Sequence, residues 1–139
     1  MPGSHRVAFV SVLRLTGALV LGLALPALAD ARDISVGGVF ITRITEDAAG
    51  YTSYERAVQV NGRITEILST PTFRRGASVA VRQGGSSALI TVGDLLVFTV
   101  TPQDAAGTSV TTLQLARQWA QLLAQGLSKA LPDSSFHVF

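Results

Sequence analysis

The chain has 139 residues, of which 47% are hydrophobic and 14% charged, with no cysteine. This composition excludes a disordered chain, and the missing cysteines exclude disulfide staples, thiol catalysis and soft-metal sites. Of the eleven Lys and Arg residues, Arg6 and Arg14 stand near the start, which leaves nine positive against nine acidic groups over the rest. A neutral body lacks the field that draws nucleic acid or an anionic membrane, so neither is expected as a partner.

Residues 1–29 read as a secretory signal peptide. His5, Arg6 and Arg14 form the positive stretch, Leu15 to Leu25 an apolar run broken by Pro26, and Ala27-Leu28-Ala29 a small-x-small cleavage site. A retained anchor is the rival reading, but Arg14 interrupts the apolar stretch and an anchor has no use for the Ala-Leu-Ala ending. The expected product is a single periplasmic or secreted α+β domain over residues 30–131 with a C-terminal tail over 132–139, and no stable membrane insertion after cleavage.

Asp30 to Ser35 reads as a frayed lead-in, and Val36 to Ile44 as a strand rich in β-branched residues with a bulge at Gly37-Gly38. A helix follows, capped by Thr52 or Ser53. Tyr54, Ala57, Val60, Ile64, Ile67 and Leu68 fall on its apolar side, and Glu55, Arg56, Gln59, Arg63 and Glu66 on its polar side. Asn61 on the apolar side and Gly62 in the interior weaken this helix, and Ser69-Thr70-Pro71 ends it. Ala77 to Arg82, Ser87 to Val92 and Leu95 to Thr101 read as strands, the last two joined by a type II′ turn at Gly93-Asp94. Thr101-Pro102-Gln103-Asp104 reads as a capped helical turn, and Ser109 to Leu131 as an amphipathic packing helix with Trp119 in its apolar arc and glutamines opposite. The order is β-α-β-β-β-α, which predicts a four-stranded, mostly antiparallel sheet with two amphipathic helices on one face.

Three stretches carry a family likeness: Glu55-Arg56-Ala57 through Asn61 with Arg63-Ile64 and Ile67-Leu68, then Val92-Gly93-Asp94 through Asp104-Ala105, then Leu115-Ala116-Arg117-Gln118-Trp119-Ala120. Over roughly residues 36–131 the chain resembles the small extracytoplasmic domain that precedes the pore in mechanosensitive-channel-like proteins of cyanobacteria and related bacteria. No membrane span follows Leu131. The resemblance therefore implies a free-standing accessory module without channel activity, and it brings over no catalytic or ligand residue.

The residues point to no enzyme, cofactor or metal. The single histidine after residue 29 is His137, near the end. Asp30 with Asp33, and Glu46 with Asp47, are pairs where a hard cation needs a larger oxygen cluster. Asp94 and Asp104 are expected far apart, serving a turn and a cap, and Gly84-Gly85 reads as a turn. Tyr51 and Tyr54 suit sugar stacking but are better placed to close the core. Arg74-Arg75 is the densest positive spot.

One feature suggests a function. With uninterrupted pairing around Gly93-Asp94, Leu89, Leu96, Phe98 and Val100 share one face, and Ile90, Val92, Leu95 and Val97 share the other. If helices cover only the first, the second exposes an apolar contact surface; a covering lead-in or Ser69 to Gly76 loop is the alternative. The leading expectation is a non-enzymatic interaction module of the bacterial envelope, docking on an envelope protein or a second copy through Ile90, Val92, Leu95 and Val97. The second is a small-molecule or glycan binder using Tyr51, Arg74 and Arg75. A hydrolase of unseen arrangement comes third.

Overall fold

Residues 30–139 are described by the computed structural model, so the expected signal segment lies outside the described residues. Asp33–Val36 (β1) and Val39–Arg43 (β2) pair antiparallel around Gly37-Gly38, whose φ values of 58° and 77° are those of a type I′ reversal. This corrects the reading of one strand with a frayed lead-in. The glycine pair turns the chain, and Ile34 and Val36 face Val39 and Ile41 in the core while Phe40 points out.

At the open end of this hairpin Asp33 faces Arg43, whose Nε and Nη2 donate to its two carboxylate oxygens at 2.5 and 3.0 Å. The hydrogen bonds from Arg43 hold the Asp33 carboxyl below its ordinary value, and those from Arg32 do the same for Asp30. Such a carboxylate contributes stability that is complete above its unfolded pKa and is lost as the pH falls through the lowered folded value. Urea midpoints should therefore drop between about pH 5 and about pH 3, and Asp33→Asn should flatten that drop. Parallel curves for the two proteins would show the pair to be inert.

Ser53–Ser69 (α1) starts in a capping box. The Thr52 hydroxyl accepts from the Glu55 N–H at 3.2 Å and the Glu55 carboxylate accepts from the Thr52 N–H at 2.8 Å. Ala57, Val60, Ile64 and Ile67 form its buried stripe, and Thr70 turns extended ahead of Pro71, where a single 3₁₀ turn, Pro71–Phe73, begins.

Ser78–Gly84 (β3), Ser87–Val92 (β4) and Leu95–Val100 (β5) form an antiparallel meander, followed by Pro102–Ala106 (α2), Thr112–Ala130 (α3) and His137–Val138 (β6). The sheet order is β5-β4-β3-β6, with β6 parallel to β3. The fold is thus α+β with a four-stranded, mostly antiparallel sheet, as expected, but its fourth strand comes from the C-terminal segment. Residues 132–139 are no loose tail: Phe136 is buried, and the N–H groups of Ser135, His137 and Phe139 donate to the carbonyls of Arg75, Ala77 and Val79. Two paired residues with one aromatic anchor are too short to announce a strand by periodicity.

The register of β4 and β5 decides which face is the core. Val92 pairs with Leu95 and Thr91 with Leu96, but Ile90 then pairs with Phe98, leaving Val97 as an extra bulged residue. The bulge moves Phe98 and Val100 onto the face of Ala88, Ile90 and Val92. That single apolar face receives α3, with the Phe98 and Trp119 rings 5.4 Å apart. The predicted docking surface is therefore overturned: Ile90, Val92 and Val97 are 0% exposed, and Leu95 is half-buried against the same core. The opposite face carries Ala80, Arg82, Leu89, Thr91, Leu96 and Thr99.

On the other side of the core, the β1–β2 turn rests on α3. A Cβ on Gly126 would lie 2.5 Å from the Val36 carbonyl oxygen, and one on Gly37 would lie 2.2 Å from the Gly126 carbonyl oxygen. α1 closes the core from the β5 side.

Candidate functional site

The polar side of α1 does not all face water. Arg56 turns inward, and its Nη1 and Nη2 donate to the two carboxylate oxygens of Asp104 at 3.0 and 2.7 Å. The same guanidinium donates to the Glu46 carbonyl at 2.5 Å and the Thr99 carbonyl at 3.1 Å. The side chains of Arg56 and Asp104 are only 10% and 4% exposed. Asp104 is in place because Thr101 opens α2: their side chains form a second capping box, in which Asp104 Oδ2 accepts from the Thr101 N–H at 2.8 Å. The expected capping role of Asp104 holds. Its larger role, neutralising a buried arginine on another element, had only a weak signal in the sequence, an arginine beside the apolar stripe of α1.

Two helical turns further on, Arg63 lies on the same side of α1, since seven residues advance a helix by nearly two full turns. It donates to the Val97 carbonyl at 3.2 Å, its one hydrogen-bond partner among the described residues. A cleft of about 230 Å³ opens here between α1 and β5. Buried Ile44, Val60 and Phe98 form its floor, Ala48 and Ala49 an apolar side, Gln59 and Arg63 a polar side, and Tyr51 the rim. Among the described residues no aspartate or glutamate lines it. Its lip is a tight reversal in which Ala48 and Tyr51 exchange backbone hydrogen bonds of 3.0 Å, with Ala49 at φ 53°. A non-glycine residue in that left-handed region costs about 1 kcal/mol, so the lip is held in shape at an expense.

The expected loop contacts divide. Tyr51 is at the cleft, whereas Arg74 and Arg75 lie beyond the far end of α1, a 17-residue helix and hence about 25 Å long. Arg74 borders a shallow depression with Leu68, Leu131 and Asp133, and the Arg75 carbonyl anchors the C-terminal segment. Tyr51 and Tyr54 do not close the core; they are 48% and 56% exposed. Asp94 and Asp104 flank opposite ends of β5, as expected, so no carboxylate dyad forms. Ser135 Oγ hydrogen-bonds His137 Nε2, but both residues are exposed and no carboxylate bonds the other ring nitrogen among the described residues. That pair lacks the orienting group and the enclosed pocket that activate a nucleophile. Among the described residues no cluster of three His, Asp or Glu side chains is placed to hold a metal ion, and no helix is long and apolar enough to cross a membrane.

A protein-family profile matches residues 33–130, from the first strand to the end of α3. The chain belongs to that family, a domain of unknown function (DUF8459). The DUF8459 match takes in the Arg56–Asp104 pair, Arg63 and the whole rim of the cleft, and stops before β6. No curated protein and no solved structure matches the chain. Nothing in these comparisons links the DUF8459 domain to the channel-associated domain that its motifs resemble.

Proposed function

We propose that this DUF8459 domain is a non-enzymatic binding module, exported on the evidence of its first 29 residues, that takes a small organic ligand in the cleft between α1 and β5. One observation carries the reading: the half-buried Arg63 guanidinium, with most of its donors free among the described residues, borders a concave hollow whose accessible apolar surface is Ala48, Ala49 and the Tyr51 ring over a floor of buried Ile44, Val60 and Phe98. Convergence of a few polar groups on an apolar hollow is the usual build of a ligand site. The Arg56–Asp104 pair beneath it fixes α1, β5 and the 44–51 segment relative to one another, so the hollow is preformed. Docking through the sheet is the weaker reading, because the residues expected to dock are core.

Titrating the isotope-labelled protein with a library of small fragments and following amide chemical shifts tests the reading. Saturable shifts are expected to cluster on Tyr51, Gln59, Arg63 and Thr99. Shifts confined to the opposite sheet face around Leu89 and Leu96, or no saturable shifts at all, would overturn it.

A further inference from the structure

Resting on the cleft reading above, we infer that the ligand is a small organic monoanion: a carboxylate carried on an apolar body about the size of one aromatic ring. The charges around the cleft set its sign. Among the described residues two arginines border it and no acidic side chain does. The charge of Arg56 is matched by Asp104, which takes both its forward-facing donors, and Glu46 lines the neighbouring depression instead. Among the described residues Arg63 is left as the one uncompensated charge on the wall. Of the five N–H donors of a guanidinium, one is spent on the Val97 carbonyl.

A planar fork of free donors matches a carboxylate in bidentate fashion, and a half-desolvated cation gains more from an anion than from a neutral acceptor. A cationic ligand would be repelled. A single uncompensated arginine also sets the charge at one, which disfavours a phosphate dianion. Apart from the hydroxyls of Tyr51, Thr99 and Thr101, the remaining lining, Ala48 and Ala49 over the buried Ile44, Val60 and Phe98, offers no hydrogen bond from its side chains and suits a ring or branched hydrocarbon, and a volume of about 230 Å³ admits one such group. The Gln59 amide stands beside Arg63 on the cleft wall as a second donor.

The test is a pair of titrations of the full protein, followed by amide shifts or calorimetry at low ionic strength and neutral pH. Benzoate and its neutral isostere benzamide are the probes. Benzoate is expected to bind at the cleft at least about tenfold more tightly than benzamide, the factor expected of a charge-assisted bond. Arg63→Gln should bring benzoate down to the benzamide level, while Arg75→Gln, remote from the cleft, should leave both unchanged. Should Arg63→Gln unfold because Val97 loses its donor, Gln59→Glu serves instead: a carboxylate that pairs with Arg63 and repels benzoate should weaken benzoate and spare benzamide.

Equal binding of the two probes at the cleft, or benzoate binding untouched by both cleft variants, overturns the monoanion inference and leaves the cleft as a binding site. Failure of benzoate, benzamide and every neutral fragment to shift the cleft residues overturns both.

Discussion

Asp104→Ala is expected to lower the unfolding free energy by about 3–5 kcal/mol, a large part of the 5–15 kcal/mol typical of a domain. The substitution leaves the Arg56 guanidinium buried with two carbonyls, Glu46 and Thr99, and no counter-charge. It also removes the reciprocal half of the α2 capping box, the bond from the Thr101 N–H to the Asp104 carboxylate, while the Thr101 cap itself remains. The two losses separate in a cycle. Asp104→Asn retains a capping oxygen while removing the charge, and Arg56→Met combined with Asp104→Asn removes both charges. Replacing a buried ion pair by apolar groups is often close to neutral, so the double variant should be more stable than Asp104→Asn alone despite carrying one more change. Urea unfolding followed by the fluorescence of buried Trp119 measures all three. A loss below about 1 kcal/mol for Asp104→Ala would mean that water reaches the guanidinium and that the pair behaves as a surface bridge.

Gly126→Ala is expected to destabilise by about 2 kcal/mol or more, against the usual direction for a helix interior. Alanine at this position gains about 1 kcal/mol of helix propensity. Its methyl, however, would meet the Val36 carbonyl oxygen at 2.5 Å and Val36 Cγ1 at 2.6 Å. One of those neighbours is backbone, so the hairpin must back away from α3 and open the core around Ile34. Gly62→Ala is the matched control. Gly62 lies in α1 with nothing within 4 Å of its would-be Cβ, and the same substitution there should stabilise by up to about 1 kcal/mol. Opposite signs for one chemical change, read from thermal melts, isolate close backbone approach as the cause. A stabilised Gly126→Ala would show that the hairpin yields freely.

The parts of this fold legible in the sequence are those decided within one element. The arc of Leu115, Trp119, Leu123 and Leu127 spans more than three turns, so its period outweighs any single residue. The Gly93 turn is local chemistry, and its φ of 56° is the positive value that a type II′ turn places on its first central residue. What escaped depends on relations between elements. The β4–β5 bulge adds one residue to β5, and a shift of one reverses every side chain beyond it. Uninterrupted pairing therefore puts Phe98 and Val100 on the wrong face and makes Ile90, Val92 and Val97 look like a contact surface. Gly37-Gly38 suits a turn as well as a bulge, and the β-branched run that continues past it favours the bulge although the chain reverses there. β6 is held by its neighbour and by Phe136, not by its own pattern. The cleft is half visible in the sequence: Tyr51 stands out as an aromatic at a helix start, but helical period puts Arg63 with the solvent-facing residues, because periodicity records that a side chain is polar and not that a strand edge lies beside it.

That strand edge has a consequence of its own. β5 ends the sheet on one side, and a bare terminal strand is a template on which unfolded neighbours can zip up. Here its Val97 and Thr99 carbonyls already accept bonds from Arg63 and Arg56, so long cationic side chains from α1 occupy the positions an incoming chain would use. The opposite margin is guarded less fully, since β6 covers only Ser78 and Val79 of β3. If two such molecules ever join by extending their sheets, the seam should run along the uncovered stretch of β3 from Ala80 to Gly84.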